Sequence, residues 1–372
     1  MLLEFVDLTH RRLLALLQSA LWNKAADDAL FTDMEEEDWH QLFKAAVAHG
    51  VMAIAFDGIM REPTKHLLPR SLKITWAANV EAVEQRYNYK AAVAAELAAM
   101  LSGESVPVML FKGLALAQDY PIPQHREFGD LDIYLFGQAR KGEQVLIKQG
   151  VKKEKTQQKH VVLSYKGVPI ENHHYFLNLQ NLSYVCRLEQ YLQESLQKNV
   201  RFNQVPKGQL LYPPTDFHAL FLVCHALRHF TRETNLRTLC DWAVFLYANK
   251  EKIDLTAYRA VLAEAGWLKA ADAFTAITME LFGLDAETAL NCQRCPALEE
   301  KMLNGILYPV QMPESPSAWQ SIKFYYRRIK EERWKYELLY PGRYGRRIAH
   351  SVFFHLFHPI RTLKQLKLCS NS

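Results

Sequence analysis

A chain that is helical in pattern at both ends breaks, between residues 104 and 185, into apolar runs too short to be helices and bounded by turn residues. "VPVMLF" (106–111) and "LDIYLF" (131–136) are two such runs, and "HVVLSYKGVPIENHHYF" (160–176) reads as a hairpin whose turn is Lys166 and Gly167. Between the first two lies "KGLALAQDYPIP" (112–123), a glycine turn, a helical stretch and a Pro-bounded loop, and "QARKGEQVLIKQG" (138–150) can form a helix. Short strands cannot bury both their faces alone. Three or four of them inside a helical chain therefore predict an α+β fold, a small mixed sheet covered by helices. The expected organisation is an N-terminal helical region over 1–103, an α/β core over 104–185, a helical region packing on it over 186–310, and a basic, aromatic helical tail over 311–372. In the first region "DMEEEDWHQLFKAAVAHG" opens with acids suited to a helix N-terminus and stops at Gly50, and an Ala-rich helical pattern runs from Pro69 to Gly103.

The second apolar run opens with two acids. Side chains alternate across a strand, so Asp130 and Asp132 share one face while Leu131, Ile133 and Leu135 take the other. Carboxylates on one face repel unless a positive charge lies between them, and a divalent metal is the usual one. In the second strand of the hairpin Glu171 and His173 face one way and Val168, Ile170 and Asn172 the other. If that strand lies beside the Asp130/Asp132 strand, three carboxylates converge in the outline of a two-metal site.

These residues resemble the nucleotidyltransferases of the DNA polymerase beta-like superfamily, and within it the bacterial branch described as uncharacterised nucleotidyltransferases. The resemblance rests on "FKGLALAQDYP", on Arg126 four residues before Asp130, on Asp-Leu-Asp, on an acid with His two residues later (Glu171, His173), and on "CHALRH" followed by "RTLCDWAVFL". It implies a nucleotidyltransferase core in which Asp130, Asp132 and Glu171 are both the catalytic acids and the ligands of two Mg²⁺ ions. Glu171 would complete the nucleophile-side metal and accept the proton of the attacking hydroxyl. Gly113 and Leu114 would form the phosphate cradle, Lys112 and Arg126 would meet the triphosphate, and His173 would orient Glu171 or touch the acceptor. Leu114 stands where the superfamily has a second Gly or a Ser, so the cradle would rest on backbone N–H groups alone. The implied activity is transfer of a nucleoside monophosphate from a nucleoside triphosphate to an acceptor hydroxyl, with release of pyrophosphate. The acceptor is unknown: a sugar, a small metabolite, an RNA or a protein would fit the same metals. The competing reading is a catalytically inactive module of this fold that docks on a membrane or partner through its basic tail.

Other features bound the class. With 49% hydrophobic and 23% charged residues the composition is that of an ordinary globular protein, and no apolar run approaches the roughly 18 to 20 residues of a membrane span. Six scattered cysteines and an N-terminal stretch without signal-peptide character predict a cytoplasmic protein. The formal charge of +5 is uneven: from Lys323 onward 12 Lys and Arg face 3 acids, interleaved with aromatics. Residues 323–372 are thus suited to peripheral contact with an anionic membrane, at its inner face, or with nucleic acid. His218, His225 and His229 share a helix face, but Ala226 occupies the place where a zinc protease needs its Glu. Cys292 and Cys295 form one pair where a zinc ribbon needs two, and Asp241 is expected to cap or pair.

Overall fold

The computed structural model describes residues 2–345 and 348, apart from 62–63, 158, 178–182, 197–200, 206–207, 232–233 and 310–316. The tail from residue 349 onward lies outside the described residues. Helices α1 (Leu8–Trp22), α2 (Glu36–Ala48), α3 (Met52–Ile59) and the 33-residue α4 (Arg70–Ser102) come first. Next come β1 (Val108–Leu110), α5 (Gly113–Ala117), β2 (Leu131–Tyr134), α6 (Ala139–Lys148), β3 (Lys152–Thr156), β4 (His160–Tyr165) and β5 (Val168–His173). After α7 (Ser183–Ser195) a second hairpin, β6 (Arg201–Val205) and β7 (Gly208–Tyr212), is followed by α8 (Thr215–Phe230), α9 (Leu236–Asn249) and α10 (Leu255–Glu264). The order closes with α11 (Leu268–Phe282), α12 (Pro296–Leu307), α13 (Ala318–Glu331) and α14 (Arg333–Leu339). The acids before α2 act as expected: Glu35 and Asp38 form a reciprocal capping box.

The strands form one mixed sheet in the order β3-β4-β5-β2-β1-β7-β6, with β2 parallel to β5, β1 parallel to β7, and the other neighbours antiparallel. The α+β expectation holds, with a larger sheet than the three or four strands the pattern suggested. β3 reads "KKEKT", every residue exposed; lysines on an edge strand discourage pairing with another sheet, and for the same reason hide the strand from a hydrophobicity scan. The β6–β7 hairpin lies in the stretch read as helical and extends the opposite edge.

Alternation along the central strands sorts residues onto two faces. Val108, Leu110, Leu131, Ile133, Leu135 and Ile170 pack with Leu97 and Leu101 of α4 and Leu146 of α6. Met109, Phe111 and Tyr134 face the other way, into a cluster shared with Phe176 and with Phe217 and Phe221 of α8. There Phe111 meets Phe176 edge-on at 5.3 Å and Phe221 at 5.1 Å, pairs worth about 0.5–1.5 kcal/mol each beyond simple burial. Asp132 lies between Leu131 and Ile133, so the pleat turns it toward this second face, beside the aromatic cluster.

Candidate metal and phosphate site

Two backbone features place the site. The chain leaves β1 at Lys112, which holds φ 64° and ψ −152°, a region disfavoured for any residue with a Cβ and costing about 1–3 kcal/mol. Gly113 follows at φ 31°, a backbone that L side chains rarely adopt, and a Cβ there would stand a tight 3.3 Å from the Phe128 ring. This turn starts α5 and returns the Lys112 side chain along the sheet, where its Nζ lies 2.9 Å from Asp132 Oδ2. The second feature is register. β2 and β5 run parallel with Asp132 beside Glu171 and Tyr134 beside His173, so the acids of the two strands are side by side on one face.

Asp130, Asp132 and Glu171 thus come together: each offers an oxygen, and the three lie within 4.8 Å of one another. Asp132 is 2% exposed, Asp130 and Glu171 only partly covered, so the cluster opens outward from a buried base. Burial pushes the Asp130 carboxyl up, and Asp132 and Glu171 push it further. Asp132 goes the other way. Burial opposes its ionisation, but Lys112 and His173 outweigh this and hold it well below the usual carboxylate range. Lys112 is held above its ordinary value, burial being overcome by Asp132, Asp130 and Glu171. Glu171 is lowered against its burial, chiefly by His173. Three oxygen donors whose mutual repulsion raises one of them are a donor set that a hard divalent cation fits.

The remaining predicted positions fall as follows. His173, on the Glu171 face, has Nε2 2.9 Å from Asp132 Oδ1 and 3.3 Å from Glu171 Oε2. Leu114 points into the apolar cluster under the sheet, with Leu110 and Leu131. Arg126 is not directed at the carboxylates of the cluster: 6% exposed, it donates from Nε and Nη2 to Asp241 of α9 at 3.0 and 2.7 Å, and the Tyr120 hydroxyl donates to the same carboxylate at 2.7 Å. Asp241 therefore pairs, as its residue type suggested. The rings of His225 and His229 lie 4.2 Å apart and tilted by 42°, and burial with the nearby Lys112 drives His225 well below its ordinary pKa. Asn172, on the opposite face to Glu171, donates to the Ala139 carbonyl.

Sequence reasoning missed His160. It is 3% exposed, pairs across the hairpin with His173, and has Nε2 3.3 Å from Glu171 Oε1, which makes His160, Glu171 and His173 a second group of donors within 4.8 Å. Burial pulls its imidazole down to about 4. The signal was present: a two-residue turn at Lys166 and Gly167, both with positive φ, fixes the pairing so that partner numbers sum to 333. Lys159 also stands near the cluster, its ammonium pulled down by burial and by Lys112 while Glu171 pulls it up.

Among the described residues no helix is long and apolar enough to cross a membrane. No curated protein and no solved structure matches the chain. A family model described as an uncharacterised nucleotidyltransferase matches residues 35–283, a span that includes the turn at Lys112, the acidic cluster, and α8 and α9. With that span two-thirds of its length, the chain belongs to this nucleotidyltransferase family.

Proposed function

We propose that the protein transfers a nucleoside monophosphate from a nucleoside triphosphate to an acceptor hydroxyl, releasing pyrophosphate, with Asp130, Asp132 and Glu171 holding the divalent cations. The observation that carries this is the convergence of three carboxylates from one face of two adjacent parallel strands beside Lys112. When bound, Mg²⁺ would neutralise the triphosphate and stabilise attacking and leaving oxygens. The protein's own groups supply the rest. Asp132, ionised and fixed between Lys112 and His173, is the rigid ligand. Glu171, more open and bordered by two imidazoles, is placed to accept the hydroxyl proton. Lys112 would exchange Asp132 for a phosphate oxygen, its side chain being 18% exposed while its backbone is held in the turn. Gly113 lets the chain come close to the phosphates; Leu114 contributes its backbone only. Arg126 acts on the triphosphate site through the loop it anchors.

One observation favours the inactive-module reading: the Lys112 ammonium lies against Asp132, where a cation would sit. One experiment separates the two. Purified protein is incubated with Mg²⁺ or Mn²⁺, each common nucleoside triphosphate and a pool of sugars, small metabolites, RNA and protein acceptors, and pyrophosphate release is followed. Metal-dependent release that Asp132→Asn abolishes while the circular dichroism spectrum is kept supports the enzyme; metal binding without release from any combination supports the module. On α13, Trp319 (77% exposed) and Tyr326 (71%) alternate with Lys323 and Lys330 at helical spacing, which supports a peripheral contact with an anionic membrane. Such binding to phosphatidylserine vesicles should fall steeply as salt rises.

A further inference from the structure

A hairpin closed by a two-residue turn fixes what faces what, and here it sets His160 directly opposite His173, with Glu171 two residues before His173 on the same face and diagonal to His160. The rings are 5.1 Å apart between centroids and flank the same carboxylate: His160 Nε2 is 3.3 Å from Glu171 Oε1, and His173 Nε2 is 3.3 Å from Glu171 Oε2. His173 Nδ1 lies 3.1 Å from the Tyr175 backbone carbonyl, which can only accept. Nδ1 therefore donates there, and Nε2 is left facing both acids, 2.9 Å from Asp132 Oδ1 and 3.3 Å from Glu171 Oε2. An imidazole held in this way can present Nε2 to a cation shared with the Glu171 carboxylate, and His160, Glu171 and His173 each offer a ligand atom within 4.8 Å of the others. A backbone carbonyl on the far ring nitrogen is also how metal-binding histidines are fixed in their tautomer. His160 adds the second sign. Nearly all of it is buried, yet neither ring nitrogen has a hydrogen bond among the described residues, and one of them points at Glu171. A buried imidazole without a partner is costly unless something it can ligate completes it.

We propose that His160, Glu171 and His173 form a second metal site, specific for a nitrogen-preferring transition-metal dication, next to the all-oxygen site of Asp130, Asp132 and Glu171. Two imidazoles and one carboxylate suit zinc, cobalt or iron(II), whereas Mg²⁺ prefers oxygen and its own waters. The two sites share Glu171, so the centre is heterobimetallic: one ion in the oxygen site, one in the histidine site. Through Glu171 the inference rests on the reading of the acidic cluster given above, but its test does not need turnover.

Chelator-treated full-length protein is titrated with Co²⁺ in the presence of excess Mg²⁺, and the visible d–d absorption of the bound cobalt is recorded. The expected result is one equivalent of Co²⁺ with nitrogen-type absorption that Mg²⁺ does not displace, a loss of affinity of about tenfold or more in His160→Phe, and retention of the band in Asp130→Asn. If His160→Phe does not fold, His160→Gln serves the same comparison. Co²⁺ binding unchanged by either His160 variant, or displaced by Mg²⁺ at comparable concentration, overturns the site. Pyrophosphate release is read separately. Histidine-dependent cobalt binding without turnover refutes the transfer reading and leaves this site standing; turnover with histidine-independent cobalt binding does the reverse.

Discussion

The guanidinium of Arg126 separates two roles that one residue cannot fill at once. Both oxygens of Asp241 are engaged by it, at 2.7 and 3.0 Å, with Arg126 buried and the Asp241 side chain 13% exposed, so the pair holds the loop that leads into Asp130 against α9. Asp241→Asn or Arg126→Met leaves the other partner buried without its counter-charge. Breaking a buried pair from one side costs about 3–5 kcal/mol. With 372 residues and about 2.1 cal/mol/K of unfolding entropy per residue, the whole chain carries roughly 0.8 kcal/mol/K. The melting temperature should therefore fall by about 4–6 °C in either single variant. The double variant Arg126→Met, Asp241→Leu, which replaces the pair with apolar groups of similar size, should recover most of that loss. Scanning calorimetry at pH 7 reads all three. The Asp241 carboxyl is lowered, its burial outweighed by Arg126, so its contribution is present above the unfolded carboxyl value and fades as pH falls through the depressed one; the gap between wild type and Asp241→Asn should close in acid. If Arg126→Met melts with the wild type and instead weakens triphosphate binding, the guanidinium is a substrate contact and the anchoring argument is wrong.

Lys112→Gly and Lys112→Ala both remove the ammonium beside Asp132, but only glycine is at ease at φ 64°, ψ −152°; urea unfolding should show the glycine variant more stable by about 1–3 kcal/mol. Where α1 crosses α3, a Cβ on Gly58 would stand 2.2 Å from the Leu16 carbonyl oxygen, whereas one on Gly142 would meet the end of the Leu135 side chain at 2.3 Å. Backbone cannot step aside and a leucine methyl can, so Gly58→Ala should cost about 3 kcal/mol or more and Gly142→Ala about 1–2 by the same denaturation assay; the opposite order would refute the crossing as described. His49 is held down to about 4, first by burial and then by His10, whose Nε2 is 3.1 Å from its own. Because its folded value lies below the unfolded one, its share of stability is whole above about pH 6.5 and is lost as pH falls toward 4, up to about 3 kcal/mol; His49→Gln should flatten stability over that window.

What the sequence shows of this site depends on the distance over which each contact is decided. Asp130, Asp132, Glu171 and His173 share a face because a strand repeats every two residues, a rule that needs no knowledge of the rest of the chain, and the structure brings all four together. His160 obeys a rule nearly as local. Once Lys166 and Gly167 are taken as a two-residue turn, the opposing residue of His173 follows by counting. Arg126 is different in kind. It lies four residues from Asp130, and its sequence position alone invites a role on the triphosphate, yet its partner is 115 residues away on α9, chosen by how the helices pack. The same holds for the sheet edges. β7 is recognised as a strand by its parallel pairing with β1, across a separation of about a hundred residues, and the five residues "GQLLY" read alone cannot announce that partner. Lys112 joins the two regimes. Its residue type and its glycine neighbour are read locally, but the strained backbone conformation that accompanies the contact of its ammonium with Asp132 is not. A chain normally relaxes such strain by placing glycine there. A lysine that keeps it costs stability, which supports the role proposed for Lys112 in the site, whereas Arg126 is tied to Asp241.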